Sequence, residues 1–173
     1  MTETRVSVVV TGAAWMGSGI GSIESALERL FQEAEQEIML TAYTISSGTD
    51  LLFDWLEKAL SRGVLVRLII NRLNDQSSDV VTRLYRIAKT YPHFHLYDFV
   101  AEGDADLHAK AVMVDRRLAL VGSSNLSRRG MFTNYELGVL VEGPAAADVA
   151  RAMDVLFASQ HAARIDRCPV AVL

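Results

Sequence analysis

Residues 107–127, LHAKAVMVDRRLALVGSSNLS, hold the reading on which the fold of this chain turns. Two runs rich in β-branched and apolar residues, His108 to Asp115 and Leu118 to Val121, predict consecutive strands with Arg116-Arg117 as the tight turn between them. Side chains at i and i+2 of a strand share a face, so His108 and Lys110 project together while Ala109 and Ala111 point away. Ser123 and Asn125 leave the end of the second strand with the same spacing, and hydroxyl and amide groups can donate to the oxygens of an anion. A nucleophile, a fixed cation and two polar groups thus form a cradle for an anion.

Outward from this hairpin, apolar periodicity alternates between strand and helix. Val6 to Val10 reads as a first strand, followed by the glycine-rich loop TGAAWMGSGIG. From Ser22, a plausible N-cap, Ile23, Ala26, Leu27, Leu30, Phe31 and Ala34 mark one apolar helix face. Ile38 to Tyr43 is strand-like, and Thr49 or Asp50 opens a helix that Gly63 ends. Val64 to Ile70 is an apolar run of the kind buried on both faces. A helix over Val80 to Lys89, a strand near Phe94 to Tyr97, the hairpin, a loop through Arg128 and Arg129, a strand over Glu136 to Val141 and a helix starting at Pro144 complete the chain. Strands alternating with helices predict an α/β fold: a mixed, mainly parallel β-sheet sandwiched between α-helices.

With 173 residues, one domain over 1–173 is expected, with about 162–173 as a C-terminal tail. Cys168, the sole cysteine, excludes an intramolecular disulfide and suits a reducing cytoplasm. The N-terminal MTETRVSVVVTG makes a poor secretory signal, and no apolar stretch approaches the roughly 20 residues that span a bilayer. A cytoplasmic protein with no membrane partner is therefore expected. The net charge of −4 gives no bulk support for polyanion binding. Locally, Lys110, Arg116, Arg117, Arg128 and Arg129 face only Asp115 between His108 and Gly130, which predicts a basic spot on an acidic body.

The hairpin pattern, HxK(x)4D(x)6GSxN, resembles the HKD signature of the phospholipase D superfamily, whose members cleave or transfer phosphodiesters. Six residue types at about 5% usage each coincide by chance about once in 10⁸ starting positions. Glu136, in TNYELGVLV, sits where the family places a carboxylate against the catalytic histidine. The order of elements upstream looks like the small bacterial single-motif nucleases of that superfamily, so the likeness covers most of the chain.

The resemblance implies the following chemistry. His108 attacks phosphorus to give a phosphohistidine, Lys110 and Asn125 hold the non-bridging oxygens, and Ser123 orients or donates alongside. Glu136 fixes the tautomer of His108. Arg128 and Arg129 are candidates for gripping substrate, while Asp115 and Gly122 belong to the structural part of the motif. No metal and no cofactor is called for. The leaving group needs a proton from a second imidazole, yet none of His93, His95 and His161 is followed by lysine two residues on. A single motif copy therefore implies a homodimer with a shared active site, in which His108 of the partner is the acid, with coupled titration and a bell-shaped rate profile.

The expected activity is metal-independent phosphodiester hydrolysis, by a weakly sequence-selective endonuclease acting on DNA or RNA. Two alternatives are a phospholipase or phosphatidyltransferase, and a non-catalytic DNA-binding module of a larger defence or repair assembly. Two weaker signals compete with the motif. Asp104, Asp106 and His108 alternate and could ligate a metal, but the Lys110 cation would repel it. Gly17, Gly19 and Gly21 form GxGxG rather than the GxGxxG of a dinucleotide loop.

Overall fold

The computed structural model describes residues 3–46 and 48–165. Nine strands form one sheet: β1 (Arg5–Thr11), β2 (Gly21–Ser22), β3 (Glu37–Ala42), β4 (Leu65–Asn71), β5 (Phe94–Phe99), β6 (Ala111–Val114), β7 (Leu118–Gly122), β8 (Glu136–Glu142) and β9 (Ala162–Arg164). Their order is β2-β1-β8-β7-β6-β3-β4-β5-β9. The helices are α1 (Ile23–Glu33), α2 (Asp50–Ser61), α3 (Ser78–Thr90), α4 (Arg128–Phe132) and α5 (Pro144–Phe157).

One sheet face carries α1, α2 and α3 over a core that includes Leu30, Leu40, Leu56, Leu68 and Leu84, all fully buried. Each such leucine contributes roughly 1.5–3 kcal/mol of burial. The opposite face carries α5, whose Ala146, Ala150, Met153 and Phe157 pack on Met39, Ile69 and Met113. Small residues at Ala146 and Ala150 let this helix lie close to the sheet. α1 starts where its sequence says it should, because the Ser22 hydroxyl accepts from the Ser25 amide at 3.0 Å and so satisfies one of the helix's free donors.

The α/β class, the mixed sheet and the helices on both faces are as expected, but the balance of strand directions differs. Among the named strands, parallel pairing is confined to β3-β4-β5 and to the β1-β2 stub, with one isolated parallel bridge between Ile45 and Leu126. The pairs β3-β6, β6-β7, β7-β8, β8-β1 and β5-β9 are antiparallel. The cause is the connectivity: β6 and β7 are joined by a hairpin and so cannot be parallel, and β8 returns beside β7 after residues 123–135, which include α4.

Three further details depart from the sequence expectation. The hairpin turn is centred on Asp115 and Arg116, both with positive φ (48° and 55°), one residue earlier than Arg116-Arg117. Arg117 N donates to Val114 O at 3.0 Å, which closes a type I′ turn matched to the twist of its strands. Residues 162–164, expected to begin a tail, form β9 and cover the open edge of β5. Arg128 and Arg129 begin the short α4 rather than a loop, capped by the Ser127 hydroxyl accepting from Gly130 N at 3.0 Å. Cys168 lies outside the described residues.

Candidate active site

The C-terminal ends of β1, β3, β4, β5 and β7 and the N-terminal ends of β6 and β8 lie along one margin of the sheet. The registers Thr11↔Glu136, Gly122↔Gly138, Ala111↔Val121 and Thr41↔Ala111 place them there. In open α/β sheets this is the margin where ligands bind. His108, Lys110, Ser123, Asn125 and Glu136 all stand on it.

His108 and Lys110 precede β6 rather than lying within it, and their backbone is pinned from the neighbouring strands. The Thr41 hydroxyl donates to Ala109 O at 3.0 Å and accepts from Ala111 N at 2.9 Å. Asn71, at the end of β4, accepts from Leu107 N at 2.8 Å through Oδ1. The imidazole of His108 is exposed, and its ring contact is with Tyr43, centroid to centroid 4.7 Å at 60°. Lys110 is half-buried, its Nζ donating to His108 O at 2.7 Å and lying 5.2 Å from the Tyr43 ring centre. It lines a small pocket with Ile23, Leu27, Thr41 and Leu126. Partial burial there pulls its pKa below the ordinary lysine value, while the Glu136 charge opposes that shift. Lysine's three rotatable donors on a long stem suit an ammonium of this kind to a phosphate oxygen.

Across the hairpin, the Ser123 hydroxyl donates to Glu136 Oε2 at 2.5 Å and accepts from Leu137 N at 3.2 Å. Glu136 Oε1 accepts from Asn134 Nδ2 at 3.1 Å. The carboxylate expected to orient His108 is thus engaged within this chain by Ser123 and Asn134, and no hydrogen bond joins it to His108 among the described residues. Glu136 leaves the sheet margin on β8, two strands from β6, and its charge acts on Lys110. The Oδ1 of Asn125 is buried with no partner among the described residues. Arg128 and Arg129 are exposed on α4, just beyond the Ser123-Asn125 loop.

Asp115 stands at the far end of the hairpin, about 13 Å of strand away from the site. Its carboxylate accepts from three backbone amides, Glu35, Gln36 and Glu37, at 2.8–2.9 Å. Gly122 permits close approach of β7 and β8: a Cβ there would meet Gly138 Cα and Leu137 O at 2.7 Å. The expected basic spot is divided. Arg116 binds Glu37 and Asp154, and Arg117 binds Glu33, all at the Asp115 end of the hairpin. Lys110, Arg128 and Arg129 remain on the side of the site.

Asp106, weighed above as a metal ligand, accepts from Asn71 Nδ2 at 3.2 Å and Arg72 Nε at 2.9 Å. Those two partners, Asn71 first, hold its carboxyl below the usual carboxylate range. Sequence reasoning missed Tyr43, Asn71, Arg72 and Gln76. Together with Ser46, Ser77 and Asp106 they line an open cleft of about 370 Å³ beside His108. The signal that could have found them is positional, since Asn71 ends β4 while Tyr43 and Arg72 directly follow β3 and β4.

This geometry accompanies clear similarity to known proteins. The family described as "Cardiolipin synthase, PLD-like domain" matches residues 27–160. The DISARM protein DrmC of Bacillus paralicheniformis is 34% identical over 143 residues, 82% of this chain and 58% of that protein. Cardiolipin synthase A of Yersinia pseudotuberculosis is 32% identical over 155 residues, 88% of this chain and 30% of the synthase. Among solved structures, Nuc of Salmonella typhimurium, a phospholipase D family member, superposes with a TM-score of 0.73 at 20% identity, covering 96% of this chain and all of Nuc. NucT of Helicobacter pylori gives 0.70 at 16%, covering 94% of this chain and all of NucT. Phosphatidylserine synthase of Haemophilus influenzae gives 0.73 at 19%, with 40% of that chain covered.

The chain belongs to the phospholipase D superfamily, a family of phosphodiesterases and phosphotransferases, and has its fold. It spans 58% and 30% of the length of the two curated relatives just described. No helix among the described residues is long and apolar enough to cross a membrane.

Proposed function

We propose that this chain is a metal-independent phosphodiesterase that cleaves nucleic acid through a phosphohistidine, in a homodimer that shares one active site. The observation that carries the reading is the pairing of the exposed His108 imidazole, which makes no hydrogen bond among the described residues, with the half-buried ammonium of Lys110 on the ligand-binding margin of the sheet. An imidazole nitrogen of His108 attacks phosphorus, the phosphorus–oxygen bond to the leaving group breaks, and Lys110 and Asn125 neutralise the non-bridging oxygens. The alkoxide takes its proton from a second imidazole. That imidazole then deprotonates a water, whose oxygen displaces His108 from phosphorus.

The chain's other histidines do not meet that need. His95 lies on β5, His93 just before it, and His161 pairs with its far end through Phe99 and Val100. β5 is three strand spacings from β6, about 14 Å. His93 Nε2 is also in hydrogen-bond contact with Leu60 O at 2.9 Å. A second copy of His108 is the simplest source, and the outer strands β1 and β8 carry a surface suited to bringing it. Val6 (58% exposed), Val8 (48%) and Leu137 (52%) share the α5 side of β1 and β8, and Phe132 and Tyr135, shortly before β8 in the chain, are exposed as well. Apolar groups gathered in this way fit an interface between protein surfaces. The unpartnered Oδ1 of Asn125 and the absence of a His108–Glu136 bond within one chain fit a site completed from outside that chain.

Nucleic acid is favoured as substrate by the exposed guanidinium groups of Arg128 and Arg129 beside the site and by the open cleft leading away from it. Similarity to a DISARM protein supports a role within a defence assembly, where a binding module without turnover is the alternative. The similarity to cardiolipin synthase A favours a second reading, phosphatidyl transfer. One assay separates them: wild type and His108→Ala with plasmid, single-stranded oligonucleotide and phosphatidylcholine vesicles, all in excess chelator. Chelator-resistant cutting lost in the variant is the expected result. Lipid turnover, or binding of DNA without turnover, contradicts it.

A further inference from the structure

We propose that Tyr43 is a positioning residue for both His108 and Lys110, an inference that rests on reading those two as the nucleophile and the phosphate-binding cation. Both precede β6, so the strand ladder does not fix their side chains, and the imidazole has no hydrogen bond among the described residues to hold its orientation, only its contact with Tyr43. The Tyr43 ring is the group common to both. Its centre lies 4.7 Å from that of the imidazole, in an edge-on arrangement that aromatic quadrupoles favour, and 5.2 Å from Nζ, within the roughly 6 Å reach of cation–π attraction. One flat ring thus meets both side chains, while the bond from Lys110 Nζ to His108 O ties the ammonium to the backbone and leaves the angle of the imidazole to the ring.

Tyr43 is itself held in place. Gln76 Nε2 donates to Tyr43 O at 3.3 Å and to Asn71 O at 2.8 Å, while Gln76 Oε1 accepts from Ile45 N at 3.3 Å and from the Thr44 hydroxyl at 3.0 Å. The turn after β3 is thereby fastened to the end of β4. Two carboxylates also stand near the pair: Asp106 close to His108, and Glu136, whose charge favours the cationic form of Lys110. Neither fixes the angle of a ring. The contacts use the ring face and edge rather than the phenol oxygen, so phenylalanine should serve and leucine, of similar volume, should not.

The test compares Tyr43→Phe and Tyr43→Leu in the full chain, using steady-state kinetics on bis-p-nitrophenyl phosphate and the NMR signals of the His108 ring protons. The phenylalanine variant is expected to keep kcat within about two-fold of wild type. The leucine variant is expected to lose kcat on the order of 10²-fold, as displaced catalytic groups do, with KM changed far less. The ring-current displacement of the His108 signals should persist with phenylalanine and vanish with leucine. Equal kcat in the two variants, a rise in KM alone, or His108 signals unchanged by leucine would overturn the assignment. If wild type hydrolyses no diester while the His108 signals respond to leucine and not to phenylalanine, the placement of the rings stands and the phosphodiesterase reading is what fails.

Discussion

His108 and Lys110 are separated by one residue, and most of the site's chemistry depends on what each is free to do. Partial burial lowers the pKa of Lys110 while the Glu136 charge opposes that shift, and a charge in so dry a setting is felt strongly at short range. Lys110→Met should lower kcat on the order of 10²–10³-fold, the usual cost of losing one preorganised oxyanion partner, with an unchanged circular dichroism spectrum. A smaller loss than about ten-fold would remove Lys110 from the machinery. Asp115 does a different task in the same motif. Asp115→Ala strands the amides of Glu35, Gln36 and Glu37, so urea denaturation should register a loss of about 2–4 kcal/mol. Turnover measured well below the unfolding transition should stay near wild type. The polar members of the site were legible because one short stretch carries most of them at strand spacing. Tyr43, Asn71 and Gln76 were not, because they reach the site only when the ends of β3 and β4 are laid beside β6 by long-range pairing.

At the scale of elements, the hairpin is the unit that joins the anchor to the chemistry. Its turn adopts left-handed backbone at Asp115 and Arg116, and its other end runs into the close approach of Gly122 and Gly138. Gly122→Ala would press a methyl group against Gly138 Cα and Leu137 O, with a stability loss of about 1–3 kcal/mol. It should also disturb the Ser123–Glu136 bond next door, so a drop in activity at temperatures where the variant is folded is expected. Unchanged thermal midpoint and activity together would contradict this account of the glycine pair. The longer elements could be read from periodicity, since α1, α2 and β4 each bury a face too regular to mistake. β2, α4 and β9 could not: two to five residues carry no period, and β9 exists only because β5 offers a free edge. The turn moved one residue because the Asp115 carboxylate bonds amides about 80 positions earlier, a constraint no local pattern contains.

At the scale of the whole molecule, a charged network locks the hairpin's far end to α5 and β3. Arg116 and Arg67 both bind Asp154, and both bind Glu37. The bonds from Arg116, then those from Arg67, hold the Asp154 carboxyl below the usual carboxylate range against the opposing effect of burial. A carboxylate more acidic when folded adds stability above its unfolded pKa of about 4 and loses it as pH falls through the folded value. Asp154→Asn should therefore be less stable than wild type by about 1 kcal/mol at neutral pH, with the difference shrinking toward pH 3. A difference that stays constant with pH would contradict the linkage.

The proposed dimer belongs to the same scale, because Val6, Val8 and Leu137, exposed on the α5 side of β1 and β8, would give a second copy a surface to pair on. Leu137→Asp should shift the protein to monomer in sedimentation and abolish turnover together. The most direct measurement mixes wild type with His108→Ala at equal amounts, unfolds and refolds them jointly so that subunits assort at random, and records diester hydrolysis. If one site needs both imidazoles, only wild-type pairs work, and activity falls to about a quarter of that of the same total amount of wild type. A fall to about a half, in proportion to the intact chains, would mean that each chain acts alone and would contradict the shared site.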